Sequence, residues 1–255
     1  MNYPRKVLVR EILISKPFTS LKELEERFPD VSSMTLRRDI EFFERQGDVI
    51  KVRGGARSMK FITTTMEDSF STRSTENTFS KQKIAQAASR FIETGRSIFF
   101  DSGSTVMQMA GMMPKTRLTV NTTDPNLALE LVKQDNVMVY LVGGMLSRDN
   151  LSLSGMQSVE YISKVNIDVA FISPSGFSLK NGFTSGNYNE SDLKSAIVKK
   201  AGCVIMLIHS SKIGKSLPYT FCQLDQVQKI VTDEIPDAEI LNACREKNIE
   251  VIVAK

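Results

Sequence analysis

The chain has 255 residues, 41% of them apolar and 24% charged, which suits one large or two unequal globular domains. No apolar run reaches the length of a membrane helix, and the charged N-terminal segment lacks a secretory cleavage site, so we expect a cytoplasmic protein without membrane contact. The formal charge of +4 lies in residues 1–60, with 13 Lys and Arg against 9 Asp and Glu, because residues 61–255 carry 20 of each sign. This local excess indicates a nucleic-acid-binding module or, alternatively, a solvated basic face.

The first 60 residues predict three short helices followed by a β-hairpin. Pro4 suits the first turn of one helix, Ser20 and Glu23 form a capping box that opens a second, and Ser32 can cap a third that stops at Gly47. The segment "DVIKVRGGARSM" then alternates around a Gly-Gly turn, as a two-stranded ribbon does. We interpret this as a winged helix-turn-helix, in which one helix enters the major groove and the wing contacts the flanking backbone.

The third helix carries side chains suited to reading base edges. Its apolar positions fall within a narrow arc, Arg38 lies opposite that arc and Arg37 lies beside it. Ser33 and Thr35 can donate hydrogen bonds to phosphates or bases. The alternative is a surface helix whose glutamates partly neutralise the arginines. The wing that follows the helix makes this alternative less favoured.

The composition and the periodicity of the chain change after residue 60. Residues 61–80 are half Ser and Thr without clear periodicity, which predicts a linker. Residues 81–255 alternate helices with short apolar strands, which predicts a mostly parallel α/β sheet that binds ligands beyond the carboxyl ends of its strands. The expected strands are "SIFFD", "LTVNT", "VMVYLVGG", "IDVAFIS", "CVIMLI", "KIVT" and "IEVIV".

Five polar turns follow these strands and would meet at one edge of the sheet. The turn "SGST" (102–105) places three hydroxyls and Gly103 before a helix expected over 105–113, a combination that binds anions, although a plain helix cap has the same form. Lys212 either brings a cation to that anion site or points to solvent. The other turns are "NTTD" (121–124), "VGG" (142–144), "SPSG" (173–176) and "HSSK" (209–212).

Other titratable residues allow two interpretations each. Glu190 and Lys194 either face this edge or form an ordinary surface pair one helical turn apart. His209, the only histidine, either titrates near a phosphate or has an incidental loop position. A single histidine and three widely spaced cysteines predict no metal centre and no disulfide framework, and we expect no cofactor.

Taken together, many short motifs resemble those of the DeoR-type transcriptional regulators, bacterial repressors of sugar-catabolic operons. The resemblance covers nearly the whole chain. It rests on "VSSMTLRRDI", "VRGGA", Glu67, Phe70, Arg73, Asn77, "KIAQAA", "DSGST", "TVNT", "LVGG", "SLSG", "IDVAFISPSG", "NGFT", Glu190 with Lys194, "SSK" and "IVTD". It implies an effector domain similar to ribose-5-phosphate isomerase and a phosphorylated sugar as its ligand.

The resemblance also implies roles for particular residues. Thr35, Arg37 and Arg38 match the helix that reads DNA, and Arg53 stands in the wing. His209 stands where the family usually has Asp, which alters the charge beside the pocket. The residues implied in effector binding are Ser102, Gly103, Ser104 and Thr105 at the phosphate, with Asp101, Asn121, Gly144, Gly176, Glu190 and Lys212 around them.

We therefore expect a ligand-controlled DNA-binding repressor, with a DNA-binding domain over 1–60, a linker over 61–80 and a sensing and oligomerisation domain over 81–255. A homodimer or homotetramer is expected because one recognition helix reads too few bases. One alternative is a sugar-phosphate isomerase-like enzyme, but the chain shows no second acidic motif with catalytic spacing. The other is a DNA-binding protein whose second domain only oligomerises and binds no ligand.

Overall fold

Three helices and a three-stranded antiparallel sheet form the N-terminal part of the computed structural model, which describes residues 3–59, 67 and 69–255. The chain divides into two compact units, Met1–Thr64 with Gly214–Ser216 and Thr65–Ile213 with Leu217–Lys255. The first unit contains α1 (Tyr3–Ser15), β1 (Phe18–Ser20), α2 (Leu21–Arg27), α3 (Ser33–Arg45), β2 (Val49–Val52) and β3 (Gly55–Ser58).

Two side-chain caps determine where α2 and α3 begin. Ser20 Oγ accepts a hydrogen bond from the Glu23 backbone N–H at 3.1 Å, and Ser32 Oγ accepts one from the Thr35 N–H at 3.3 Å. The apolar stripes of the helices meet in one core. The fold confirms the predicted winged helix-turn-helix. The core contains Val9, Leu13, Leu21, Leu24, Leu36, Ile40, Phe43, Val49 and Ala56.

The wing has one strand more than the predicted hairpin. The sheet runs in the order β1-β3-β2, and β1 has three residues, too few for a recognisable alternation. Ser20 of β1 lies opposite Gly55 of β3. A Cβ at residue 55 would lie 2.2 Å from the Thr19 carbonyl oxygen. The extra strand therefore pairs so closely because residue 55 has no side chain.

A seven-stranded parallel sheet forms the centre of the second unit, in the order β15-β14-β12-β9-β4-β5-β6. All of its neighbouring strands pair in parallel, so their carboxyl ends share one edge. This confirms the expected α/β class. The strands are β4 (Ser97–Phe100), β5 (Leu118–Thr122), β6 (Val137–Leu141), β9 (Ile167–Ile172), β12 (Ala201–Ile208), β14 (Lys229–Thr232) and β15 (Glu250–Val253).

Helices pack on both faces of this sheet. Successive residues of β4 show the alternation, because Phe99 joins one apolar cluster and Phe100 joins the other. α7 (Met156–Lys164), α8 (Tyr188–Lys200) and α9 (Ala238–Glu246) contribute to the first cluster. α5 (Thr78–Ser89) and α6 (Pro125–Leu131) contribute to the second.

Short strands supplement the main sheet and were not predicted. β10 (Gly176–Ser178), β11 (Gly182–Ser185) and β13 (Tyr219–Cys222) form a small antiparallel sheet. β7 (Met145–Leu146) and β8 (Leu153–Ser154) pair as two residues each. Strands of two or three residues carry too little sequence pattern to be recognised, and the four-residue strands β11 and β13 lack the apolar run that marks the strands of the main sheet.

The segment expected as an irregular linker is partly helical. Residues 60–66 and 68 lie outside the described residues. Ser69 caps α4 (Phe70–Thr75), Phe70 is buried, and α5 begins at Thr78. A six-residue helix is too short to show a 3.6-residue period, so the Ser and Thr content misled the prediction for this part.

Among the described helices, none combines the length and the apolar composition that a membrane span requires. Within the ranges 3–59, 67 and 69–255, no group of three or more His, Cys, Asp or Glu is arranged to hold a metal ion.

Candidate nucleic-acid interface and ligand site

α3 presents an exposed cationic face in the first unit. Its inner face buries Leu36 and Ile40, whereas Arg37 and Arg38 are exposed and Met34 is 61% exposed. Neither arginine makes a side-chain hydrogen bond or ion pair with another residue of the described part of the chain. Both guanidinium groups therefore remain available to base edges or phosphates.

The two hydroxyl candidates of α3 are engaged inside the unit. Ser33 Oγ donates to Glu25 Oε1 at 2.5 Å. Thr35 Oγ1 and Ser32 Oγ share a hydrogen bond of 2.9 Å. Ser33 would have to leave Glu25 before it could donate to DNA, so the arginines are the more direct contacts.

The wing supplies further cations. Arg53 is exposed in the turn between β2 and β3, beside Gly54, whose φ of +87° suits glycine. Arg57 on β3 is exposed as well, and sequence reasoning did not single it out. Alternation along β3 could have found it, because Ala56 and Ser58 on either side are buried.

A bidentate ion pair holds α3 against α1. Arg5 Nε and Nη2 donate to the two carboxylate oxygens of Asp39 at 3.1 and 3.3 Å. The Asp39 side chain is 4% exposed. The pair orients the helix that carries Arg37 and Arg38, and sequence reasoning missed it because the partners are 34 residues apart.

In the second unit, polar loops gather at the carboxyl edge of the parallel sheet. The turns after β4, β5, β6, β9 and β12 all leave from this edge, as the sequence predicted. Many of their polar side chains are buried, which is unusual for loops and requires internal partners. The buried ones include Asp101, Ser104, Thr105, Asn121, Thr123, Asp124, Ser173 and His209.

A buried ion pair joins the first of these turns to α8. Lys194 Nζ lies 2.7 Å from Asp101 Oδ2 and donates to the Ser173 carbonyl oxygen at 3.0 Å. The Ser173 N–H donates to the same Asp101 oxygen at 3.0 Å. Burial would lower the pKa of Lys194, but Asp101 and Glu190 raise it above its ordinary value, so the ammonium stays charged.

Glu190 belongs to the same polar cluster. Its carboxylate accepts hydrogen bonds from Asn150 Nδ2 at 2.8 Å, from Ser152 Oγ, and from Ser185 Oγ at 3.5 Å. Glu190 and Lys194 are both buried. The interpretation of these two residues as an ordinary surface pair is therefore wrong.

The predicted phosphate turn, 102–105, leads into a 3₁₀ helix over Val106–Met112, within the helix expected over 105–113. Ser104 and Thr105 are buried and Ser102 is half-buried. A Cβ at residue 103 would lie 2.9 Å from Ser173 Cβ, so Gly103 permits a close approach to the neighbouring turn. A seven-residue 3₁₀ helix aligns fewer peptide dipoles than an α-helix and attracts an anion less strongly. Nearby cations would therefore have to supply more of the binding free energy of an anion.

The remaining predicted ligand residues lie around the same edge. Asn121 Oδ1 accepts a hydrogen bond from the Tyr161 hydroxyl at 3.0 Å. Gly144 follows β6 and packs against the backbone of Ser154. Gly176 is buried at the start of β10.

Cations gather beside the turn after β9. Lys212 Nζ donates to the Pro174 carbonyl oxygen at 2.7 Å. Arg73 on α4 donates to Asn150 Oδ1 at 3.0 Å. Desolvation, together with repulsion from Arg73, lowers the pKa of Lys212 to about 7. Both the charged and the neutral form of Lys212 are therefore populated near neutral pH.

Glu67 lies among these cations, although sequence reasoning gave it no role. Its Oε1 accepts a hydrogen bond from Ser175 Oγ at 2.5 Å and lies 3.3 Å from Arg73 Nη1. Its Oε2 accepts one from the Gly186 N–H at 3.4 Å. The spacing of Glu67, Phe70 and Arg73 was the available signal, but the other two partners, Ser175 and Gly186, are more than 100 residues away in the chain.

His209 has a defined tautomer instead of an incidental position. Its Nδ1 accepts a hydrogen bond from the Ser211 N–H at 3.1 Å, so Nε2 carries the proton and faces Asp233 Oδ2 at 3.1 Å. Burial lowers the pKa of His209 although Asp233 opposes this. The ring is therefore neutral at pH 7.

Two family models match the chain. A model of the DeoR-like helix-turn-helix domain matches residues 5–61, and a model of the DeoR C terminal sensor domain matches residues 76–234. Together they include the cationic face of α3 and most of the polar cluster.

Curated relatives match over nearly full length. The HTH-type transcriptional regulator IolR of Bacillus subtilis (strain 168) is 33% identical over 247 residues, which cover 96% of this chain and 97% of that protein. The putative aga operon transcriptional repressor of Escherichia coli O157:H7 is 30% identical over 224 residues, which cover 88% of this chain and 83% of that protein.

Among solved structures, ribose 5-phosphate isomerase A from Methanocaldococcus jannaschii is similar at a TM-score of 0.38 and 13% identity, over 52% of this chain and 53% of that one. This likeness is too weak to say anything about the site. The two family matches and the relatives instead identify a DNA-binding regulator and not an enzyme. The chain belongs to the DeoR family of helix-turn-helix transcriptional regulators.

Proposed function

We propose that this regulator represses a sugar-catabolic operon and that a phosphorylated sugar, bound at the carboxyl edge of the parallel sheet, controls its affinity for the operator. In this proposal residues 1–60 bind DNA, residues 61–80 connect the two parts, and residues 81–255 sense the sugar and oligomerise. The regulator would act in the cytoplasm, where its operator lies.

One observation carries the proposal. Polar turns of the sheet edge surround a cluster with both cations and carboxylates, including Lys212 and Glu190. A phosphorylated sugar needs both, because cations bind its phosphoryl oxygens and carboxylates accept hydrogen bonds from its hydroxyls. The position beyond the carboxyl ends of parallel strands is also where α/β sheets bind ligands.

The effector contacts divide by chemistry. Ser102, Gly103, Ser104 and Thr105 with Lys212 would hold the phosphoryl group. The sugar hydroxyls would meet Asp101, Asn121, Glu190 and the backbone at Gly144 and Gly176. On the DNA side, Arg37 and Arg38 would read bases, with Ser33, Thr35 and Arg53 at phosphates or bases.

Effector and DNA binding would be linked. A homodimer or homotetramer presents two recognition helices to half-sites about 10 bp apart. A sugar phosphate that favours one arrangement of the paired DNA-binding domains changes operator affinity. A coupling free energy of about 1–3 kcal/mol corresponds to a change of about 5- to 150-fold.

Fluorescence anisotropy tests the proposal on DNA from upstream of the protein's own gene, at fixed salt, with and without a panel of sugar phosphates. We expect sequence-selective binding that one sugar phosphate shifts. Arg38→Ala should weaken specific binding by about 1–3 kcal/mol, whereas Arg245→Ala, which removes an exposed arginine of α9, should not. Absence of selective binding in the wild type would contradict the proposal.

A protein whose second domain binds no ligand gives a different result. It would bind DNA selectively, yet no sugar phosphate would stabilise it. A true effector at 100 times its Kd adds about 2.7 kcal/mol to the free energy of unfolding. Thermal unfolding with the same panel separates the two cases.

A further inference from the structure

The carboxylate of Glu67 occupies an oxyanion site that the chain itself builds. Three groups contact it, namely the Ser175 hydroxyl, the Gly186 N–H and the Arg73 guanidinium, at 2.5 to 3.4 Å. Its side chain is 11% exposed. A hydroxyl, a backbone N–H and a guanidinium are the donors that proteins use for phosphoryl oxygens as well as for carboxylates.

Three cations act electrostatically on this site, namely Arg73, Lys212 and Lys194. Lys194 already has Asp101 at 2.7 Å. Lys212 donates to a carbonyl oxygen, and Glu67 and Arg73 act on it electrostatically with opposite signs. A phosphoryl dianion would place more negative charge against Arg73 and Lys212 than the Glu67 carboxylate does.

Burial would raise the pKa of the Glu67 carboxyl, but Arg73, Ser175, Lys212 and Lys194 lower it below its ordinary value, so the carboxylate is ionised at neutral pH. The residue is also close in sequence to the first unit, whose continuous part ends at Thr64.

We propose that Glu67 is a tethered competitor of the effector. The turn 102–105 lies against Ser173 and Lys212 lies against Pro174, so a phosphoryl group held by that turn and Lys212 would also take the place of the Glu67 carboxylate at Ser175, Gly186 and Arg73. The inference rests on the proposed function, since it specifies how the phosphorylated ligand enters the same cluster. It also gives the linkage a physical step, because the phosphoryl group releases Glu67, which follows Thr64, the end of the continuous part of the first unit, by three residues in the sequence.

A tethered competitor lowers the apparent affinity by the fraction of molecules in which the site is already filled. If Glu67 fills the site in nine-tenths of them, its removal tightens the apparent Kd about tenfold. Glu67→Gln removes the charge at nearly constant volume. Glu67→Asp keeps the charge but shortens the reach, so it should fall between the wild type and Glu67→Gln.

The test is isothermal titration calorimetry of the full-length wild type and variants with inorganic phosphate at pH 7.0, where both the phosphate dianion and the charged form of Lys212 are populated. We expect Glu67→Gln to bind phosphate about tenfold more tightly than the wild type, and Glu67→Asp to lie between them. Glu160→Gln, which changes the same charge at an exposed pair on α7, should leave the affinity unchanged. If Glu67→Gln does not fold, Glu67→Asp decides by the direction of its change.

Equal or weaker phosphate binding by the Glu67 variants would overturn the competitor inference while leaving the proposed function intact. Failure of every chain to bind either phosphate or any sugar phosphate would overturn both. A DNA titration adds an independent readout. Glu67→Gln without ligand should shift operator affinity in the same direction as phosphate shifts that of the wild type, and an opposite or absent shift would contradict the release step.

Discussion

At the scale of single residues, Lys194 shows how far tertiary context changes the meaning of a side chain. In the sequence it is a lysine one turn after a glutamate on a polar helix, an arrangement typical of a solvent-exposed pair. In the structure its side chain is 5% exposed and its ammonium contacts Asp101 at 2.7 Å. The partner is 93 residues away in the chain, so helical spacing could not identify it.

Removal of one partner of this pair should strongly destabilise the protein. Lys194→Met leaves the Asp101 carboxylate buried without its counter-charge, which costs about 3–5 kcal/mol in the free energy of unfolding. The double variant Asp101→Asn with Lys194→Met removes both charges and should recover a large part of that loss. Urea denaturation of the two variants measures the difference. A double variant as unstable as Lys194→Met would show that the charge pairing is not the cause.

His209 should make part of the stability depend on pH. Burial makes its folded-state pKa lower than the unfolded value of about 6.5. The unfolded chain therefore takes the proton more readily, so the stabilisation is present above pH 6.5 and is lost as the pH falls below it. We expect the unfolding free-energy advantage of the wild type over His209→Asn to shrink between pH 7.5 and pH 5.5. Urea denaturation at both pH values measures it, and a constant difference would count against a neutral His209.

At the scale of elements, regular segments could be predicted when they showed a period, a cap or an apolar run. β5 and β14 begin and end at the predicted residues. α4 could not be found, because six residues rich in Ser and Thr show no period and its buried Phe70 is a single anchor. β1 and β10 were missed because three-residue strands exist only through their partners.

The wing provides a prediction at this scale. Gly55→Ala places a Cβ within 2.2 Å of the Thr19 carbonyl oxygen, so β1 and β3 must separate. Backbone cannot yield as a flexible side chain does, and we expect a loss of about 1–3 kcal/mol in stability together with weaker DNA binding. Gly54→Ala should not lose the strand pairing, because nothing lies within 4 Å of a Cβ there, although its φ of +87° carries some strain. Thermal unfolding compares the two, and equal losses would contradict the steric cause.

At the scale of the whole molecule, the two outermost strands of the parallel sheet, β15 and β6, differ in charge and exposure. β15 carries Glu250, which pairs with Lys229 and Arg90, and charges of this kind protect an edge. β6 carries no charge, and Met138, Tyr140 and Leu141 are each about half exposed. No other strand of the described part of the chain pairs with its outer side. We expect two copies of the regulator to meet along β6.

The double variant Met138→Lys with Tyr140→Lys should therefore yield monomers in sedimentation velocity, because like charges would face each other across the two-fold axis. Its affinity for an operator with two half-sites should fall on the order of a hundredfold, because a monomer cannot bind both half-sites with two linked DNA-binding domains. Ile235→Lys, at another exposed apolar residue, is the control and should change neither property. An unchanged oligomer would place the interface elsewhere.

By itself the sequence determined the winged helix-turn-helix, the parallel α/β sheet and the face of α3 that carries Arg37 and Arg38. These depend on periodicity, caps and charge, which are local properties of the chain. Only the tertiary structure decided that Lys194 pairs with Asp101, that His209 is neutral against Asp233, and that Glu67 lies against Ser175 and Gly186. Those contacts join residues from 24 to 119 positions apart, and burial changes what their charges do, so no local pattern could contain them.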